Sequence, residues 1–180
     1  MEGEEEDRLD DEDLAVLKEE NKNEHELQIA LAEIFGTLFK THKEFCRELV
    51  QKLWQEVLPA AAKHGTKHTM KFVLFIFDDM VEFLGPEFLG PIFPEIVNQI
   101  CSYASSKFSA IRQAAVYGIG MIAQHGGTAF STSSLQCLQS LKAAISYPMD
   151  NATKEKKSKH MQYNHARDNA IAALGKIVKY

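Results

Sequence analysis

Apolar residues recur along this chain at three- and four-residue intervals, almost without a break, and the strict alternation of a half-buried strand is nearly absent. The first such pattern puts Leu27, Ala30, Leu31, Ile34 and Leu38 on one helix face, and the helix can begin as early as Asp13, because acids suit a helix N-terminus. A second helix is predicted over 43–62 with Cys46, Leu49, Val50, Leu53 and Val57 inward; Pro59 lies near its end and His64-Gly65 closes it. A third, over 68–84, turns Met70, Val73, Leu74, Phe77, Val81 and Leu84 inward, and Gly85-Pro86 stops it. The fourth starts near Glu87 or Gly90, with Pro91 and Pro94 early, where missing N–H donors cost least. Its stripe is Leu89, Ile92, Phe93, Ile96, Val97 and Ile100. A fifth opens at or beside Ser109, ends at Gly126-Gly127, and points Ile111, Ala114, Ala115, Gly118, Ile119 and Ile122 inward. A sixth covers 131–146 before Tyr147-Pro148, and a seventh follows the polar loop 149–159 to the last residue.

Two of these helices are copies of one pattern. Ile111–Ala123 and Ala166–Val178 share an Arg in second place, small residues in the middle and a Gly in tenth place. Lys71, Arg112 and Arg167 keep the spacing, with the second interval lengthened by the loop at 149–159. Internal repeats of this size imply an all-α fold, an α-α superhelix of about three and a half hairpins. The hairpins are expected at 14–40 (partial), 43–85, 87–125 and 128–180. Such arrays work by offering a long surface to a partner. Gly118, Gly120 and Gly175 then read as places where neighbouring helices approach closely. A phosphate loop needs a strand before its glycines, and none precedes Gly118-Ile119-Gly120.

Charge adds one feature. The net charge of −5 is uneven: residues 1–13 hold nine acids against Arg8 alone, −8 in all, so the rest of the chain is +3. So dense an acidic block repels itself and has nothing to bury, and 1–13 is expected to be disordered. The chain has no run of 18 apolar residues, so no membrane span is expected. Cys46, Cys101 and Cys137 form no CxxC and are expected to be buried, reduced thiols.

IRQAAVYGIGMIAQHGG (Ile111 to Gly127) resembles the second helix of a HEAT repeat, and more narrowly the importin-beta superfamily of nuclear transport receptors. FIFDDMVEFLGP (Phe75 to Pro86), DNAIAALGKIVKY (Asp168 to Tyr180) and the acidic run before the first helix resemble the importin beta-3 branch in the same order. The resemblance implies a HEAT, or armadillo-like, solenoid forming a C-terminal portion of such a receptor. It implies basic cargo bearing nuclear-localisation signals, and Ran-GTP and nucleoporins as partners through the full-length protein. It also implies shuttling between cytoplasm and nucleus. A non-transport HEAT scaffold, such as a phosphatase regulatory subunit, is the alternative. The fragment is expected as a monomer or an end-to-end dimer.

In such arrays the second helix of each hairpin lines the concave side, which makes Asp78, Asp79 and Glu82 the candidate cargo-binding residues. Each carboxylate can accept charge-assisted bonds from cargo Lys or Arg. A solvated helix face, or pairing with Lys71 or Lys67, is the plainer account. Catalytic chemistry has no footing: there is no GxSxG and no GKS or GKT. His64 and His68 straddle a Gly turn, His25 is isolated, and His160 and His165 bring no carboxylate at metal spacing, so neither enzyme activity, metal nor cofactor is expected. The Lys-rich loop (Lys154, Lys156, Lys157, Lys159) lacks interleaved aromatics, and no direct nucleic-acid contact is expected. Far-UV circular dichroism should therefore show a mainly helical protein; substantial strand content would overturn the repeat reading.

Overall fold

A computed structural model of the chain describes residues 11–149 and 157–180. The described residues are helical almost throughout and contain no strand, so the protein is all-α. The helices are α1 (Asp11–Thr41), α2 (Arg47–Lys52), α3 (Leu58–His64), α4 (Lys67–Asp79), α5 (Gly85–Leu89), α6 (Ile92–Tyr103), α7 (Ser109–His125), α8 (Gly127–Ile145) and α9 (Lys157–Lys179). The acidic residues 1–10 and the loop residues 150–156 lie outside the described residues. Asp11 to Asp13, expected in the disordered block, form the start of α1.

Turn chemistry punctuates these helices. Gly65 ends α3 in the left-handed region at φ 62°, a conformation a side chain disfavours. Thr66 then caps α4, its hydroxyl accepting from the Thr69 N–H at 3.1 Å.

Helices α1, α4, α7 and α9 pack consecutively, α1 on α4, α4 on α7 and α7 on α9. The others pack against this series: α3 on α4, α6 on α7, and α8 on α6, α7 and α9. One apolar core runs through all of it, from Ala32 in α1 to Ala173 in α9. Helix α7 is the centre. With neighbours on nearly every side, it buries Ile111, Ala115, Val116, Ile119 and Ile122 completely, and of its large apolar side chains only Tyr117 is exposed. On the far side of the core, Cys101 of α6 and Cys137 of α8 lie with their sulfurs 3.9 Å apart. All three thiols are buried and free.

Two stretches are π-helical, Leu53–Val57 and Met80–Leu84. Each stands two residues before a proline, Pro59 or Pro86. A proline ring in a regular helix collides with the carbonyl four residues back. Here the wider turn is closed by the residue just before the proline, Leu58 N–H to Leu53 O and Gly85 N–H to Met80 O. The extra residue shifts the register. Val57, expected inward, is therefore exposed, and Leu58 takes its place in the core.

The expectation for α1 also needs correcting. Leu27, Ala30, Leu31 and Ile34 are exposed, whereas Ala32, Gly36 and Phe39 are buried, with Ile29 and Phe35 half-buried beside them. Helix α1 is apolar on two sides. Its side with the small residues meets α4, because Gly36 leaves room for the Asp79 carboxylate, where any Cβ would collide. The larger leucine and isoleucine stripe is left facing out.

The three expected close approaches divide two to one. A Cβ on Gly118 would collide with Asp78 Oδ1 and meet Ile100 Cγ2 at 3.1 Å. One on Gly120 would meet Ala173 Cβ at 3.3 Å. Gly175, however, has open space around it, so its expected packing role is wrong. Gly118→Leu should lower stability by about 2 kcal/mol or more through overpacking. Gly175→Ala should raise it by up to about 1 kcal/mol, since only helix propensity is at stake. Thermal melts of the two variants should move in opposite directions.

Candidate functional site: an acid-lined groove across α1, α4, α7 and α9

The consecutive packing of α1, α4, α7 and α9 leaves a groove of about 500 Å³ along one side of the molecule. Glu33 of α1 and Lys71, Phe75, Asp78 and Asp79 of α4 line it, with Tyr117 of α7 and Asn169 of α9 opposite. The walls are thus mixed: two aromatic rings, small alanines (Ala32, Ala110, Ala114), neutral amides and three carboxyl groups.

The candidate acids do not share one open face. Successive helical residues point about 100° apart, and Asp78 and Asp79 use that angle to meet different neighbours. Asp78 turns towards α7, where Gly118 makes room, and is buried at 5% exposure. Its Oδ1 has no hydrogen-bond partner. Asp79 turns towards α1 and Gly36 and is half-buried. Glu82, in the π-helical stretch, is half-buried and lies outside the groove lining.

Burial, and then the charges of Asp79 and Glu82, hold the Asp78 carboxyl well above the usual range. Burial, and then Glu82, push Asp79 up to about 6. No ion pair joins these acids to Lys71 or Lys67. The Lys71 ammonium instead lies 5.0 Å from the centre of the Phe75 ring. Its pKa is lowered by burial and then by Lys67. Tyr117 is raised by burial and then by the three acids, so its phenol stays neutral. Lys176 of α9 reaches over its ring at 5.6 Å.

Two further arrangements lie outside the groove. Arg112, the repeated arginine, is 2% exposed and donates to Ser106 O at 2.7 Å. Its guanidinium sits 3.8 Å from the centre of the Tyr147 ring, and Tyr163 of α9 donates to Tyr147 O. It fastens the end of α8 to α7 and α9. Its repeat counterpart Arg167 is exposed, so the shared position is buried in only one copy. His25, isolated in sequence, packs on His68 with ring centres 4.1 Å apart. Among the described residues no group of three or more His, Cys, Asp or Glu stands close enough to hold a metal ion, and no helix is long and apolar enough to cross a membrane. The described part of the Lys-rich loop joins the start of α9.

Sequence reasoning found Asp78 and Asp79 but missed Glu33, Tyr117 and Gly36. The missed signal was Gly36 itself, a glycine inside an otherwise regular helix, which costs about 1 kcal/mol unless something packs against it. No protein-family model matches the chain.

The two raised carboxyls set a pH dependence. A carboxyl held above its unfolded value near 4 keeps its proton longer in the folded state. Its neutral form is therefore fully stabilising below pH 4, and that stability is lost as pH rises through about 6 for Asp79 and higher for Asp78. Asp79→Asn should then raise stability at pH 7.5 by about 1–2 kcal/mol after solvent screening. The gain should vanish near pH 4. Denaturant titrations of wild type and variant at both pH values check this; a gain independent of pH would sink it.

Proposed function

We propose that this chain is a HEAT-repeat solenoid of the importin-beta type and that it takes basic, nuclear-localisation-bearing cargo on the side carried by α1, α4, α7 and α9. The reading joins the sequence resemblance to one observation: the acid-lined groove runs along the helices that pack consecutively, α1 on α4 on α7 on α9. In a solenoid of paired helices, that series corresponds to the second helices, whose surface is the concave one. Function is then stoichiometric binding, with release driven by Ran-GTP, and no residue is catalytic.

The division of labour among the acids differs from a uniform acidic face. Glu33, Asp79 and Glu82 keep partial or full exposure and can meet cargo directly. Asp78 lies deeper and acts from below. Charge reversal at Asp78 would bury an ammonium against Gly118, so it tests folding more than binding.

The discriminating experiment uses a fluorescent nuclear-localisation peptide rich in Lys and Arg. Glu33→Lys, Asp79→Lys and Glu82→Lys together should weaken its binding by one to two orders of magnitude, at about 1 kcal/mol per exposed contact. Wild-type affinity should fall steeply between low and physiological salt. Equal affinity for wild type and the triple variant would place the attraction elsewhere, above all in the acidic residues 2–13. Addition of Ran-GTP to the intact receptor should release the peptide; retention would favour a non-transport scaffold.

A further inference from the structure

We propose that the outer face of α9 is a docking surface for α1 of a second copy of this chain, so that copies join head to tail along the series α1, α4, α7, α9. The inference concerns the two ends of that series and does not depend on the basic-partner reading.

The repeat indicates what the outer face of α9 is suited to. Helix α7 turns Val116 and Gly120 towards α9, and a Cβ on Gly120 would meet Ala173 Cβ at 3.3 Å. In the repeated pattern, Ile171 and Gly175 of α9 hold the places of Val116 and Gly120 of α7. Here they are uncovered. Ile171 is 58% exposed, Val178 is 89% exposed, and Gly175 between them has open space. Helix α9 thus presents the kind of face on which α7 receives a helix. Its glycine costs about 1 kcal/mol and meets no neighbour within the chain. At the other end of the series, α1 turns Leu27, Leu31 and Ile34 outward, at the same spacing as Ile171, Gly175 and Val178.

Charge selects α1 as the occupant. Helix α1 carries eight acids against three lysines, whereas α9 carries four lysines and Arg167 against Asp168. Pairing α1 with α1, or α9 with α9, would set like charges together; α1 on α9 does not. The direction of packing places these charges. His25 meets His68 and Gly36 meets Asp79, so α1 and α4 are parallel. Gln113 meets Asn169 and Met121 meets Lys176, so α7 and α9 are parallel too. A parallel α1, with Leu27, Leu31 and Ile34 beside Ile171, Gly175 and Val178, brings exposed Glu20 and Glu24 near exposed Arg167. It also sets the start of α1, Asp11-Glu12-Asp13, towards the start of α9, Lys157-Ser158-Lys159. Asp168 is a like charge in this register, next to Arg167. The two copies use different faces, so each added copy leaves one free, and growth does not stop at a dimer.

Sedimentation velocity of the full chain, from low micromolar to near-millimolar concentration, reads this. One helix laid on another is a small interface, so association should be weak and rise with concentration, past the dimer. It should weaken from low to physiological salt. Two variants separate the faces: Leu27→Gln, Leu31→Gln, Ile34→Gln on α1, and Ile171→Gln, Gly175→Gln, Val178→Gln on α9. Each should weaken self-association by about tenfold or more. Melts of dilute protein should show no loss of fold, since every substituted position is exposed and glutamine is a good helix former. Mixed in equal amounts, the variants keep one intact face of each kind and should form a one-to-one complex that grows no further. Should either triple variant fail to fold, Gly175→Gln alone should weaken association without lowering the melt. A wild type that stays monomeric at every concentration would overturn the proposal. So would a folded variant that associates as strongly as wild type, which would point to a contact between two like faces.

Discussion

The enclosure of α7 is the constraint on which the rest of the structure depends. A helix with neighbours on nearly every side has no polar face to spare, which explains why its sequence reads as small and apolar almost all round. It must also let two helices come close, and its glycines do that at two heights, Gly118 towards Asp78 of α4 and Gly120 towards Ala173 of α9. Arg112, the charged side chain that α7 buries, is held by hydrogen bonds and by the Tyr147 ring, so its burial does not break the pattern.

The groove follows from the same packing. Where α4 sits between α1 and α7, two adjacent aspartates each point at a glycine on a different neighbour. Each glycine leaves the space that its facing carboxyl fills, and Asp78, the more deeply buried of the two, keeps an oxygen without a hydrogen-bond partner, which costs stability.

Much of the fold was legible in the sequence, for reasons that can be given residue by residue. Helix ends were marked by Gly65, by Gly85-Pro86 and by Gly126-Gly127, whose backbone preferences are local. The stripes of α4, α6 and α7 were legible because one periodicity runs unbroken through each. Register failed at Val57 because a π-helical turn inserts a residue without altering the apolar pattern; the proline two residues beyond was its only trace. The inward face of α1 failed because the helix is apolar on two sides, and local pattern cannot say which side has a neighbour. The candidate acids were found as residue types but not as geometry. Asp78 is inside because α7 lies opposite with a glycine, and that pairing spans 40 positions of sequence. The superhelical arrangement and the transport role rest on resemblance together with the packing order, and stand as proposals.

The outward stripe on α1 has a consequence for how the molecule opens. Leu27, Leu31 and Ile34 contribute little to holding α1 in place, so it is held from one flank, by α4, the π-helical stretch Met80–Leu84 that continues it and the short turn Lys43–Phe45. Helix α7 is clamped by four neighbours. Amide hydrogen exchange should therefore be graded across the series, quickest in α1 and slowest in α7. A molecule built this way loosens from one flank while its middle stays shut, and the wall of the groove that carries Glu33 belongs to the looser flank.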